Sequence, residues 1–109
     1  MKLVIAVVQK QDAGELVKEL TIHNYQATQI CSEGGFLHES NITLLILVED
    51  MAVDRLIRLI REHCYTRTRH VSPIPPVVES GEFYPPTPIE VQVGGAVVFV
   101  LRTDQVRIL

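Results

Sequence analysis

All six prolines of this 109-residue chain, Pro73, Pro75, Pro76, Pro85, Pro86 and Pro88, crowd into one stretch of its last third. Proline has no backbone N–H and a fixed φ, so Pro73-Ile74-Pro75-Pro76 and Pro85-Pro86-Thr87-Pro88 cannot supply continuous donors to a helix or a central strand. Regular periodicity is already lost at Tyr65, which predicts a long loop over about 65–88. Loops of that length in compact domains are usually functional or disordered, and Ile74, Val77, Val78, Phe83 and Tyr84 favour packing over floppiness here. The proline-free remainder must carry the regular structure. Its length suits a single domain over 1–109 with one core.

Leu3 to Val8 (LVIAVV) is a short β-branched apolar run, as expected of a central strand covered on both faces. Asp12 followed by Glu15 reads as a capping-box variant. Ala13, Leu16, Val17 and Leu20 then repeat at helical spacing, predicting a helix from about Ala13 to Ile22. Gln26 to Glu33 and Thr43 to Val48 read as antiparallel strands joined by a loop containing Gly34-Gly35. Asp50 can cap a second helix, with Val53, Leu56, Ile57, Ile60 and Cys64 on one face and Asp54, Arg55, Arg58, Arg61 and Glu62 toward water. Ile89 to Val93 and Ala96 to Leu101 flank Gly94-Gly95, a strong hairpin signal because glycine tolerates the positive φ of tight turns. The fold class is therefore α+β: a ferredoxin-like βαββαβ sandwich with an additional C-terminal β-hairpin.

Composition narrows the function. The longest apolar run is far below the roughly 20 residues of a membrane-spanning helix, and no signal-peptide pattern opens the chain, so a soluble, cytoplasmic protein is expected. Ten basic against thirteen acidic residues, net −3, offer no global attraction to nucleic acid. The apolar central strands also lack the aromatics that stack RNA bases. Cys31 and Cys64 sit in apolar patterns and read as buried reduced thiols rather than a bridge. His23, His38, His63 and His70 have no metal-ligand spacing, and no serine or cysteine sits on a constrained nucleophile turn. No metal site, catalytic residue or cofactor is expected. Arg55, Arg58, Arg61, Arg67 and Arg69 could touch phosphates, but neighbouring acids make a solvated face the simpler reading.

Thr28 to Asn41 differs in kind. It combines glycine-freed N–H groups, small hydroxyls, an amide and Phe36, a set suited to a phosphate and a purine. The same residues also describe a hairpin loop with Phe36 and Leu37 tucked into the core, and the residue chemistry leaves both open.

MKLVIAVVQ at 1–9, SEGGFL at 32–37, LVED at 47–50, SGEFY at 80–84 and VQVGGAVVFVL at 91–101 stand in an order and spacing that resemble the PII-like cyclic di-AMP receptors of bacteria. GGFL and VGGAVVFVL are the most specific of these blocks. The resemblance implies a PII-like fold, a homotrimer, nucleotide sites in clefts between subunits, no catalysis, and long loops that change shape on binding and address a protein target. It places Asn24, Thr28, Gly35, Phe36, Leu37, Asn41 and Phe99 at ligand-contact positions. In that scheme Thr28 and Asn41 bond base or phosphate, the Gly35–Leu37 backbone approaches the ligand, and Phe36 and Phe99 supply apolar surface. Gln26 stands where the family commonly has an arginine, Leu47 where a glycine lets the backbone come close, and Ile108 where a polar residue is usual. Gln26 removes a positive charge that would face phosphate. Leu47 threatens to fill the pocket. The ligand implied is cyclic di-AMP or a related adenine nucleotide; a trimeric interaction scaffold that has lost it is the alternative, with the 73–88 segment and the arginine face as working surfaces.

Overall fold

In a computed structural model, the residues described are 1–33, 40–71 and 89–109. They form β1 (Lys2–Gln9), α1 (Lys10–Ile22), β2 (Ala27–Glu33), β3 (Ser40–Val48), a 3₁₀ turn (Asp50–Ala52), α2 (Val53–His63), β4 (Arg67–Val71), β5 (Ile89–Val93) and β6 (Ala96–Arg102). The main sheet runs β2-β3-β1-β6 with antiparallel neighbours throughout, and β4 and β5 pair as a separate two-stranded ribbon. This is an α+β fold of two antiparallel sheets and two helices, consistent with a ferredoxin-like sandwich.

β1 is central, but it is covered on one face rather than both. Val4, Ala6 and Val8 are buried while Leu3, Ile5 and Val7 stay half-exposed, because both helices pack on the same side of the sheet. Cross-strand register continues the pattern: Val4, Ala6 and Val8 lie opposite Ile46, Leu44 and Ile42. These meet Leu16 and Leu20 of α1 and Leu56, Leu59, Ile60 and Cys64 at α2. Val53 and Ile57 sit at the margin of that face, and Leu59 belongs to its buried centre.

Neither expected helix cap operates. α1 begins at Lys10 directly from the extended Gln9, without a side-chain cap, and Asp12 is buried in an ion pair instead. Asp50 lies within the 3₁₀ turn, where its carboxylate meets the Met1 ammonium at 3.0 Å. At the far end of α1, Tyr25 N–H donates to Leu20 O and Asn24 N–H to Thr21 O, with Asn24 at φ +64°. That pattern is a Schellman stop, and asparagine is among the few side chains that accept the left-handed position.

The C-terminal hairpin is corrected. Gly94 and Gly95 do take positive φ, +85° and +87°, but β5 pairs with β4 and β6 pairs with β1, so the glycines carry the chain from one sheet to the other. An added Cβ at Gly94 would run into the Tyr65 carbonyl, and one at Gly95 would lie 2.9 Å from the Thr66 hydroxyl. Close backbone approach, together with positive φ, explains both glycines. β4 also shortens the irregular stretch expected from Tyr65 onward. The Gly34-Gly35 connection, the Cys31 side chain and the 73–88 proline segment lie outside the described residues.

Candidate functional site

The face of the main sheet away from the helices is apolar and open. Thr28 pairs with Leu45 and Leu3 with Leu47, which puts these side chains on that face by strand alternation. Here, where β1 and β2 begin and β3 ends, is a cavity of about 410 Å³ lined by Met1, Leu3, Asn24, Gln26, Thr28, Leu45, Leu47 and Ile108. Its volume falls within the range of small-molecule sites. Asn24 reaches it because the Schellman stop turns the chain there, Gln26 lies between that stop and β2, and Ile108 arrives on the tail after β6.

The cavity has two characters. Leu3, Leu45 and Leu47 make an apolar wall, while Asn24, Gln26 and Thr28 make an exposed polar edge. Among the described residues these three polar side chains make no hydrogen bond, so their donors and acceptors are available to a ligand. Two carboxamides can read the polar edges of a purine, and a hydroxyl can donate to a phosphate oxygen. Among the described residues the lining contains no charged side chain. The Met1 ammonium is engaged with Asp50 and holds that carboxyl below the usual range.

Three of the sequence-derived site residues, Asn24, Gln26 and Thr28, are therefore brought together, with Leu47 and Ile108 beside them. Leu47 forms a wall and leaves the cavity open. Asn41 lies at the start of β3, opposite Ser32 and Gln9, four residues from Leu45 and so about 13 Å along the strand. Phe99 is half-exposed on β6 across from Ile5. Thr28, Leu45, Ile5 and Phe99 make one cross-sheet row, which sets Thr28 and Phe99 about 14 Å apart at opposite edges. Gly35, Phe36 and Leu37 lie outside the described residues.

Arg67 leaves the set of phosphate-contact candidates. Its Nη2 donates to Asp12 Oδ1 at 2.8 Å and its Nη1 to Asp12 Oδ2 at 3.4 Å, with the guanidinium 5.4 Å from the Tyr65 ring centroid. The Asp12 carboxylate raises the Arg67 pKa further. With 55 positions between the partners, local pattern gives no sign of this pair. Leu45 as a lining residue was accessible in principle, since it shares the alternation of Leu47. Cys64 is buried beside α2, and burial first, then the Asp12 carboxylate, pushes its thiol up to about 11, which disfavours a thiolate. Among the described residues no three His, Cys, Asp or Glu gather as a metal cluster, and no helix is long and apolar enough to cross a membrane.

Two comparisons bear on this geometry. A crystal structure described as that of a functionally unknown protein from Pediococcus pentosaceus matches with a TM-score of 0.80 at 36% identity, over 99% of this chain and 96% of that one. It supports the fold and is silent on the ligand. The family model described as "Cyclic-di-AMP receptor" matches residues 1–108, so the chain belongs to the cyclic-di-AMP receptor family.

Proposed function

We propose that this protein is a non-enzymatic, homotrimeric PII-like receptor. It binds cyclic di-AMP, or a related adenine nucleotide, between subunits and signals to a protein target through loop rearrangement. The observation that carries this reading is the cavity uniting Asn24, Gln26 and Thr28, in a chain whose family model is a cyclic di-AMP receptor. In the binding scheme, Asn24 and Gln26 address adenine edges, Thr28 donates to phosphate, and the backbone of Gly35 to Leu37 closes on the ligand. No resident cofactor enters the scheme.

The split site supports the trimer. Thr28 and Phe99 occupy opposite edges of one protomer's sheet, so a single nucleotide touches both most simply when the β2 edge of one subunit meets the β6 edge of the next. Such a contact is heterologous, and a rotation of one third of a turn between subunits would close it as a three-membered ring. It would also cover the exposed apolar side chains of Ile30 on the β2 edge and of Val97, Phe99 and Leu101 on the β6 edge.

Calorimetric titration with cyclic di-AMP, ATP and cyclic di-GMP tests the reading. Saturable heat with cyclic di-AMP is expected, weakened about tenfold by Thr28→Val through loss of one hydrogen bond to a charged group. No heat with any of the three overturns it. One observation favours the scaffold alternative: among the described residues the cavity has no cationic side chain, and Leu47 stands on its wall. If Gln26→Arg with Leu47→Gly creates cyclic di-AMP binding that the parent lacks, the scaffold reading replaces the receptor.

A further inference from the structure

The end of the sheet opposite the cavity holds a second set of linked side chains, which the nucleotide scheme does not use. Gln9, the last residue of β1, lies opposite Asn41 in the sheet. Its Oε1 accepts from Gly94 N–H at 2.7 Å and from Gln11 Nε2 at 2.9 Å. A Cβ at Gly94 would meet the Tyr65 carbonyl and the Arg67 guanidinium, so the crossing segment lies tight against the chain that leads into β4. Three residues after Gln9, the buried Asp12 takes the Arg67 guanidinium, which also donates to Tyr65 O at 3.3 Å. Arg67 opens β4, so both contacts act at the base of the β4–β5 ribbon.

The ribbon needs such an anchor. Two-stranded ribbons are marginal on their own, and among the described residues β4 and β5 pair only with each other while Ile89 and Val91 are exposed. Swinging the ribbon away would strand the Asp12 carboxylate without its cation, which low exposure makes unfavourable. The junction is therefore made or broken rather than gradually stretched.

We propose that Gln9, Asp12 and Arg67 form a positioning junction that holds the base of the β4–β5 ribbon to the corner between β1 and α1, where Gln9 neighbours Asn41 in the sheet, so that ribbon position and nucleotide binding are linked. The linkage half rests on the receptor reading above. Coupling is reciprocal: if bound nucleotide favours the seated ribbon, breaking the seat weakens the nucleotide.

Amide hydrogen exchange over 67–71 and 89–93, with and without cyclic di-AMP, is measured beside calorimetry for the parent, Gln9→Leu, Asp12→Asn and Gln9→Glu. In Gln9→Leu and Asp12→Asn, ribbon exchange should accelerate and lose its response to nucleotide. Affinity should fall by about tenfold, within the usual span of such couplings. β1 and β3 amides should exchange as in the parent, which separates a lost seat from general unfolding. Gln9→Glu keeps an acceptor oxygen for Gly94 N–H and should retain the parent's affinity. Unchanged ribbon exchange in both disruptive variants overturns the junction. Loosened ribbons at undiminished affinity overturn the linkage. A parent that binds no nucleotide removes the receptor reading and the linkage together, while exchange without ligand still decides whether the junction holds.

Discussion

The two faces of the main sheet are built from the same kinds of residue and meet different fates. On the helix side Val4, Ala6, Leu44 and Ile46 are at 0% exposure. On the other side Leu3, Ile5, Leu45 and Leu47 are half-buried, and Phe99 and Leu101 on the edge strand are 50% and 45% exposed. Two amphipathic helices can cover only one face of a four-stranded sheet. The uncovered face retains an apolar surface that a protomer by itself does not use, and it also holds the cavity with its polar edge. Apolar content therefore marks the core on one face, and on the other a surface that the proposed reading assigns to ligand and subunit contact.

That contrast can be broken most severely on the covered face. Leu44→Ala should cost about 2–5 kcal/mol in denaturant unfolding, the range for truncating a fully buried leucine. Leu45→Ala, one position away, should cost about 1 kcal/mol, because half-buried leucine contributes a fraction of its full transfer energy; it should alter nucleotide affinity instead. Equal losses at the two positions would erase the distinction between the faces.

A charge on the open face tests its role in assembly. If the proposed trimer forms, Phe99→Asp should turn it into monomer in size-exclusion chromatography with light scattering, with the circular dichroism of the parent retained. A parent that already elutes as monomer would contradict the ring. Gln26→Arg, at the polar edge, should tighten cyclic di-AMP about tenfold through a charge-assisted hydrogen bond and steepen the salt dependence of binding.

The smallest effect belongs to Cys64 on the covered side. Its folded pKa of about 11 lies above the ordinary 9.0, so the stability linked to this proton is complete below pH 9 and is lost as pH rises through 11. Cys64→Ala should flatten that part of the stability profile. Alkylation of the parent at pH 8 should be slower folded than unfolded; equal rates would show that the thiol is not shielded.

The legible parts of the fold are those whose apolar period is local. α1 and α2 declare a period of about 3.6 within a dozen residues, and β1 and β3 stand out as short unbroken apolar runs. β4, reading Arg67-Thr68-Arg69-His70-Val71, has little apolar pattern to declare and forms by backbone pairing with β5. The Gly94-Gly95 misreading is instructive, because the positive φ values were correct and the pairing was not. A glycine pair reports local backbone freedom, whereas the partner of β6 is β1, at the other end of the chain. For the site, the resemblance named Asn24, Gln26 and Thr28, and the register explains why Leu45 and Leu47 stand with them.

By itself the sequence determined the types of the elements other than β4, most of each helix face, and the family, because these rest on short-range apolar pattern and on motifs read in order. Tertiary structure alone decided which sheet face the helices cover and that Asp12 serves Arg67 rather than a helix end. It also decided that the paired glycines pass the chain between sheets, and that Asn24, Gln26 and Thr28 share a cavity remote from Asn41. Those outcomes depend on contacts between residues far apart in the chain, and burial, charge pairing and close approach become definite only once those residues meet.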